Sequence, residues 1–303
     1  MRESQTKALI RRNTEQKRIR RNPSRTFQRV LAMHDLSGLG RSSLMAVTPV
    51  LSVMGIQVCP VPTAVLSTQT SGFTDYTFVD LTSSMPAYLQ HWKALEMDFD
   101  CIYSGFLGSV EQIAIMQDVL RDFADEDTLV VIDPVLGDDD ALYDTMDTVM
   151  VEQIRQLIAY ADIITPNETE VKLLLDLPME EKLYAEQMEP FMQRLTTLGP
   201  RTIVVTGMER QSGGHCVCSY QEQEGTDGIM QQIAYQELPI RYPGTGDIFT
   251  AVLIGGLLQG NSLEESIQRS ANFISATVAD AIVVNEPVRD GVQLEKNLYR
   301  LLK

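Results

Sequence analysis

The stretch "RYPGTGDIFTAVLIGGLLQG", Arg241 to Gly260, sets an acidic residue, Asp247, directly behind a Gly-Thr-Gly turn and directly ahead of a nearly all-apolar helical run. A helix that is apolar on every side belongs in a core rather than on a surface. Gly244 and Gly246 permit backbone angles closed to other residues, so successive N–H groups can converge at the helix N-terminus, where the dipole favours an anion. Asp247 in that first turn has two readings. It can complement the dipole as a structural charge. It can also accept the proton of an attacking hydroxyl while the amides of the turn hold the charge developing on a transferred phosphoryl group.

Upstream of this turn, strands alternate with helices. "RVLAMHDLSGLGRSS" reads as a strand entering a Gly-rich turn, followed by the helix "SSLMAVTPVLSVMG" and the strand "IQVCPVPTAVL". "FDCIYSGFL", "TLVVIDPVLG", "DIITPN" and "RTIVVTGM" are further strands, separated by helical segments of 10–15 residues. That alternation predicts a mostly parallel sheet with helices on both faces, a three-layer α/β/α sandwich. "HCVCSYQ" and "QQIAYQEL" read as a polar-faced antiparallel pair, and the last helices are expected over 246–260 and 263–281. With no Pro/Gly/Ser-rich linker and no internal repeat, one domain over 29–303 is expected. Ligands of such sheets bind beyond the C-terminal ends of the strands, which selects "HDLSGLG", "YSGFLG", "DPVLGDDD", "TPNETE" and "VTGMER".

Charge excludes several function classes. The 303 residues carry a formal charge of −16, yet residues 1–29 hold ten Lys/Arg against two Glu, leaving 15 basic and 39 acidic residues elsewhere. An acidic body does not suit a phosphate backbone, so no nucleic-acid partner is expected for it. Residues 1–28 read as a basic, disordered extension without the apolar core of a secretory signal. No apolar run reaches the ~18 residues of a membrane span, and a cytoplasmic protein is expected. Cys59, Cys101, Cys216 and Cys218 form no disulfide framework. Cys216 and Cys218 beside His215 lack a second ligand pair at zinc spacing and read as structural thiols.

Other phosphate-handling designs are missing. "GLGRSS" lacks the third glycine of a dinucleotide fingerprint, and no acidic residue follows in "GIQVCPVPTAVL". There is no G-x-x-x-x-G-K-[ST] loop, protein-kinase signature or G-x-S-x-G elbow. Asp133, Asp138, Asn167 and Glu170, by contrast, lie on two successive strand-end loops. Hard oxygen donors of this kind suit Mg²⁺, which takes one or two carboxylates plus water and phosphate oxygens. The structural alternative makes Asn167 the N-cap of the next helix, with Glu170 completing a capping box.

Taken in order, "DPVLGD", "TPNETE", "VVTG" and "GTGD", with the N-terminal "RVLAMHDLSGLGRSSLMAVTPVLSVMGIQVCPVPTAVLSTQTSGF", resemble the ribokinase-like superfamily, and within it the pyridoxal/pyridoxine/pyridoxamine kinases, the pyridoxamine kinases above all. The resemblance spans about residues 29–285. It implies phosphoryl transfer from ATP to the 5′-hydroxymethyl group of a vitamin B6 vitamer, with Asp247 as base and the amides of Gly244, Thr245 and Gly246 around the γ-phosphate. It implies Mg²⁺ organised by Asp133, Asp138, Asn167 and Glu170, a monovalent cation such as K⁺, and nucleotide contacts from Thr165, Thr206, Thr245 and Tyr143. Asp35, Ser37, Thr70 and Phe106 match positions around the pyridine ring, and a homodimer is implied. The chain departs from the family in carrying "HDLSG" where many relatives carry "QSH", and Tyr242-Pro243 where some carry a cysteine that reacts with the aldehyde. Two alternatives share the fold: a hydroxymethylpyrimidine kinase, and a vitamer-binding protein without catalysis.

Overall fold

The computed structural model describes residues 27–302 apart from 224, 226 and 237. The expected basic extension over 1–28 thus falls outside the described residues except for Phe27 and Gln28, and Gln28 already opens the first strand. The strands are β1 (Gln28–Ser37), β2 (Ile56–Leu66), β3 (Phe78–Asp80), β4 (Cys101–Ser104), β5 (Leu129–Ile132), β6 (Gly137–Asp138), β7 (Ala141–Leu142), β8 (Ile163–Ile164), β9 (Thr202–Glu209), β10 (His215–Gln221) and β11 (Ile229–Tyr235). The helices are α1 (Ser43–Val53), α2 (Met85–Ala94), α3 (Val110–Phe123), α4 (Thr148–Leu157), α5 (Glu168–Leu175), α6 (Met188–Thr196), α7 (Thr245–Leu258), α8 (Leu263–Val283) and α9 (Leu294–Asn297).

Nine strands form one sheet in the order β11-β10-β9-β8-β5-β4-β1-β2-β3. From β9 to β2 the pairing is parallel, and β3, β10 and β11 add antiparallel edges. The central strands are apolar on both faces because helices cover both. In β1, Leu31 and Met33 enter one core while Val30 and Ala32 enter the other. The same division by alternate residues separates Val130 and Ile132 from Leu129 and Val131 in β5. The first core packs under α2 to α6, and the second under α1 and α7 to α9. This is the expected ribokinase-like three-layer sandwich.

Two details refine the sequence reading. The antiparallel pair β10–β11 forms as expected, but β10 is buried on both faces rather than polar-faced, with Cys216, Val217, Cys218, Ser219 and Tyr220 all buried. The sulfurs of Cys216 and Cys218 lie 3.8 Å apart as buried free thiols. Pro60 and Pro62, which cannot donate to a ladder, fall where β2 has only β1 as a partner, since β3 pairs no further back than Ala64.

α7 buries more residues than any other helix among the described residues, ten of its 14. Glycines allow its close contacts, since a Cβ on Gly255 would meet the Met54 side chain at 2.4 Å, and one on Gly256 would meet Ser266 at 2.6 Å. Leu253→Ala, at the centre of this layer, is expected to cost about 2–5 kcal/mol, read as a lower urea midpoint with an unchanged slope.

Candidate active site

The loops at the C-terminal ends of β1, β5 and β8 converge on the N-terminal half of α7. Gly244 caps that helix at φ +79°, and a Cβ there would lie 2.1 Å from the Arg41 carbonyl oxygen, so only glycine fits. Gly246 faces open space. The leading amides of a helix have no acceptor inside it, and here they border that space. Thr245 turns its hydroxyl back, donating to the Tyr242 carbonyl at 3.1 Å.

Asp247 is held by two other elements. Its Oδ2 accepts the backbone N–H of Ser43, the first residue of α1, at 2.6 Å. Its Oδ1 lies 3.0 Å from Nε2 of His34 in β1. His34 is 2% exposed, and its Nδ1 lies 2.8 Å from Asp35 Oδ1. Burial alone would lower the imidazole, but the Asp247 charge and hydrogen bond, followed by those of Asp35, outweigh it and raise the group to about 10. His34 was not among the residues singled out by sequence. It sits at the end of the apolar run of β1, where a lone histidine looks like core, and the adjoining Asp35 was the one available signal.

Asp133 follows β5. Its carboxylate accepts the Thr250 hydroxyl at 3.4 Å, and Thr250 lies 3.2 Å from the Thr165 hydroxyl. Burial and then the Asp247 charge push Asp133 up to about 7, with His34 pulling the other way. Val135, a β-branched residue at φ +44°, turns the loop sharply. The next amide, Leu136 N–H, donates to Glu170 Oε1 at 2.9 Å. Glu170 Oε2 accepts from Asn167 N–H at 3.0 Å, and Asn167 Oδ1 accepts from Glu170 N–H at 2.9 Å, so the capping box is present. Asn167 Nδ2 donates to the Gly137 carbonyl at 2.8 Å, tying α5 to the β6–β7 hairpin. Burial, then Asp133, holds the Glu170 carboxyl far above its usual range. Asp138, on β6, is also raised, by burial first. Tyr143 borders the same group: burial, followed by Glu170, Asp138, Asp133 and Asp247, raises its phenol.

The remaining predicted residues are less uniform. The Thr206 N–H donates to the Pro166 carbonyl at 3.1 Å, beside Thr165. Ser37 donates to Asp35 Oδ2 at 2.8 Å, and both residues are buried. The Phe106 carbonyl accepts from Thr63 at 3.1 Å. Thr70 is exposed on the loop after β2, whereas its neighbour Gln69 is buried and spans Leu39, Ser71 and Arg289 through its backbone and side chain.

Among the described residues, no group of three or more His, Cys, Asp or Glu side chains is arranged to hold a metal ion by itself. The donor set fits Mg²⁺ differently. The Asp247 charge raises Asp133, and Asp133 and Asp138 raise Glu170, and a hard cation that completes its shell with water and phosphate oxygens relieves that field.

The sequence matches the phosphomethylpyrimidine kinase family model over residues 48–290, and the chain belongs to that family. A pyridoxine/pyridoxal/pyridoxamine kinase of Bordetella avium is 29% identical over 261 residues, 82% of this chain and 85% of that one. The pyridoxal kinase of Lactobacillus plantarum superposes with a TM-score of 0.80 at 33% identity, covering 91% of this chain and 97% of that one. A Bacteroides thetaiotaomicron protein that carries the phosphomethylpyrimidine kinase name, solved with pyridoxal, superposes with a TM-score of 0.86 at 41% identity, covering 91% and 96%.

A carboxyl raised in the folded state binds its proton more tightly there than in the unfolded chain, so folding weakens as pH climbs from the ordinary value near ~4 through the folded value of about 7. In Mg²⁺-free buffer, Asp133→Asn is expected to raise the melting midpoint at pH 8 by about 2–4 °C, with the gain gone by pH 4. A midpoint shift equal at both pH values would contradict this.

Proposed function

We propose that this chain is a vitamin B6 kinase that transfers the γ-phosphoryl group of ATP to the 5′-hydroxymethyl group of a vitamer. The observation that carries the reading is the pairing of a helix N-terminus that is open at Gly246 with a carboxylate one residue on that is held by groups outside that helix. Amides and base thus have separate tasks. The hydroxyl oxygen forms its bond to the γ-phosphorus, the bond from that phosphorus to ADP breaks with its electron pair leaving on ADP, and the hydroxyl proton passes to Asp247. The amides of Thr245 and Gly246 face the charge of the phosphoryl oxygens.

In this reading Asp133 and Asp138 hold Mg²⁺ and its waters, which supplies positive charge to the phosphates. Asn167 and Glu170 keep the two loops in register through the capping box and the Gly137 and Leu136 bonds. Thr165, Thr206 and Tyr143 lie on the nucleotide side, with a monovalent cation beside the phosphates. Phe106 and the loop carrying Thr70 border the ring, with Asp35 and Ser37 behind them. A cytoplasmic homodimer belongs to the same proposal. No helix of the described residues is long and apolar enough to cross a membrane.

The B6 kinase names of the Bordetella avium and Lactobacillus plantarum relatives, and the pyridoxal in the Bacteroides structure, support a B6 vitamer over hydroxymethylpyrimidine. With Mg²⁺ and ATP, pyridoxal, pyridoxine or pyridoxamine is expected to be turned over at a kcat/KM above that for hydroxymethylpyrimidine; exclusive turnover of the pyrimidine reverses the assignment. Asp247→Asn is expected to lower kcat by about 10²–10⁴-fold while vitamer binding, followed by calorimetry, is retained. Binding without turnover in the unaltered protein would mark a binding protein instead.

A further inference from the structure

We propose that His34 is the positioning residue for the Asp247 base, and that Asp35 acts by holding His34 in place rather than by contacting the substrate ring. The inference rests on the kinase reading above and adds to it a three-residue chain, Asp35–His34–Asp247, running from β1 to α7.

The geometry is specific. Carboxylate oxygens stand 2.8 and 3.0 Å from the two ring nitrogens of one imidazole. A carboxylate offers lone pairs only, so Nε2 carries a hydrogen toward Asp247; the Asp35 backbone N–H also approaches Nδ1 at 2.9 Å, but the two flanking carboxylates together favour a hydrogen on both nitrogens, which makes His34 a cation. The groups facing it are Asp35 on its own strand, Asp247 from α7, the Tyr103 ring from β4 at a centroid distance of 6.1 Å, and the Asp133 charge from the end of β5. The raised value of about 10 keeps it charged through neutral pH.

The fold makes room for this ring. A Cβ on Gly105 would fall 1.9 Å from His34 Cδ2 and 2.2 Å from Nε2, so the absence of a side chain there is what lets the imidazole reach Asp247. On the other side of the base, Ser43 sits at φ +52°, outside the usual region for serine, with its N–H on Asp247 Oδ2. Strain of this kind persists where surrounding contacts impose it. Two donors from different elements thus fix the plane of the carboxylate, and each oxygen keeps a second lone pair that can take the hydroxyl proton.

Asp35 is then accounted for. Its Oδ1 faces His34 and its Oδ2 accepts from Ser37 at 2.8 Å, and the residue is 6% exposed. Its carboxylate is lowered: burial raises it, but the hydrogen bond and charge of His34 more than reverse that. It orients the imidazole as a carboxylate orients any histidine whose other nitrogen performs a task.

Steady-state kinetics on the full chain test the proposal. His34→Ala is expected to lower kcat on the order of 10–100-fold, with KM for ATP and for the vitamer changed less than about 3-fold. His34→Gln should recover part of kcat through its amide N–H. Gly105→Ala, which changes no polar group, should reproduce the loss of kcat by displacing the ring. In an Asp247→Asn background, His34→Ala should cost nothing more. Asp35→Asn should lower kcat with vitamer KM unchanged. If His34→Ala does not fold, the kcat and KM of His34→Gln decide.

Loss confined to KM, a His34→Gln kcat no higher than that of His34→Ala, or full multiplication of the His34 and Asp247 losses would overturn the proposal. A rise in vitamer KM with kcat intact in Asp35→Asn would return that residue to the ring. Imidazole nitrogen NMR separates this from the kinase reading: of the three histidines, the one whose signal vanishes in His34→Gln should show both nitrogens protonated at pH 8. A neutral ring at pH 7 overturns the proposal whatever the substrate is. Full turnover by Asp247→Asn overturns the base assignment instead.

Discussion

The structure depends on a constraint set by α7. Its residues are apolar all round, so the helix must be enclosed, yet its first turn carries Asp247 and must meet a ligand. The fold satisfies both by burying the helix against the sheet between α1 and α8 while leaving its N-terminus at the edge where the parallel strands end. Every other site element is fixed relative to that end, because β1, β5 and β8 deliver their loops to the same rim.

Two helix N-termini meet there, and they are used differently. α1 spends the Ser43 N–H on the protein's own carboxylate, which leaves the leading amides of α7 to an incoming anion. Asp247 therefore does not fill the anion site of its own helix. It is drawn aside by an amide and an imidazolium from neighbouring elements. The surrounding carboxyl groups weaken the fold in the absence of cations, as the upward shift of Asp133 expresses, and in the proposed reading they are what would draw a metal–phosphate pair to the pocket. Stability and function oppose each other at this rim.

The layer architecture was legible because it rests on periodicity. Apolar runs such as Val30–Met33 and Val130–Ile132, separated by helical segments, leave few alternatives to a parallel sheet. The capping box at Asn167 and Glu170 was legible for a similar reason, since N-cap and N3 are fixed by local spacing. Short-range patterns did not reveal β3, the β6–β7 hairpin or α9, whose strands or helix run to four residues or fewer and are held by tertiary contacts. Nor did they reveal His34. Its meaning lies in partners 213 residues away at Asp247 and in the empty space of Gly105, and no window along the chain contains those. Asp35 was expected near the ring from the family resemblance alone, and which of its neighbours it faces depends on side-chain direction, which no local pattern fixes.

The loop that presents Ser43 to Asp247 is anchored far along the chain. Arg41 bonds Glu286 at 2.9 Å, the Asp290 carbonyl at 3.0 Å and Glu295 at 2.8 Å. Synthesis proceeds from the N-terminus, so the loop after β1 leaves the ribosome long before those partners exist. The sheet and α7 can assemble first, but this clasp closes only once Glu286, Asp290 and Glu295 have emerged. A nascent chain therefore passes through a stage in which its sheet is in place and the loop that presents Ser43 to Asp247 is not yet anchored.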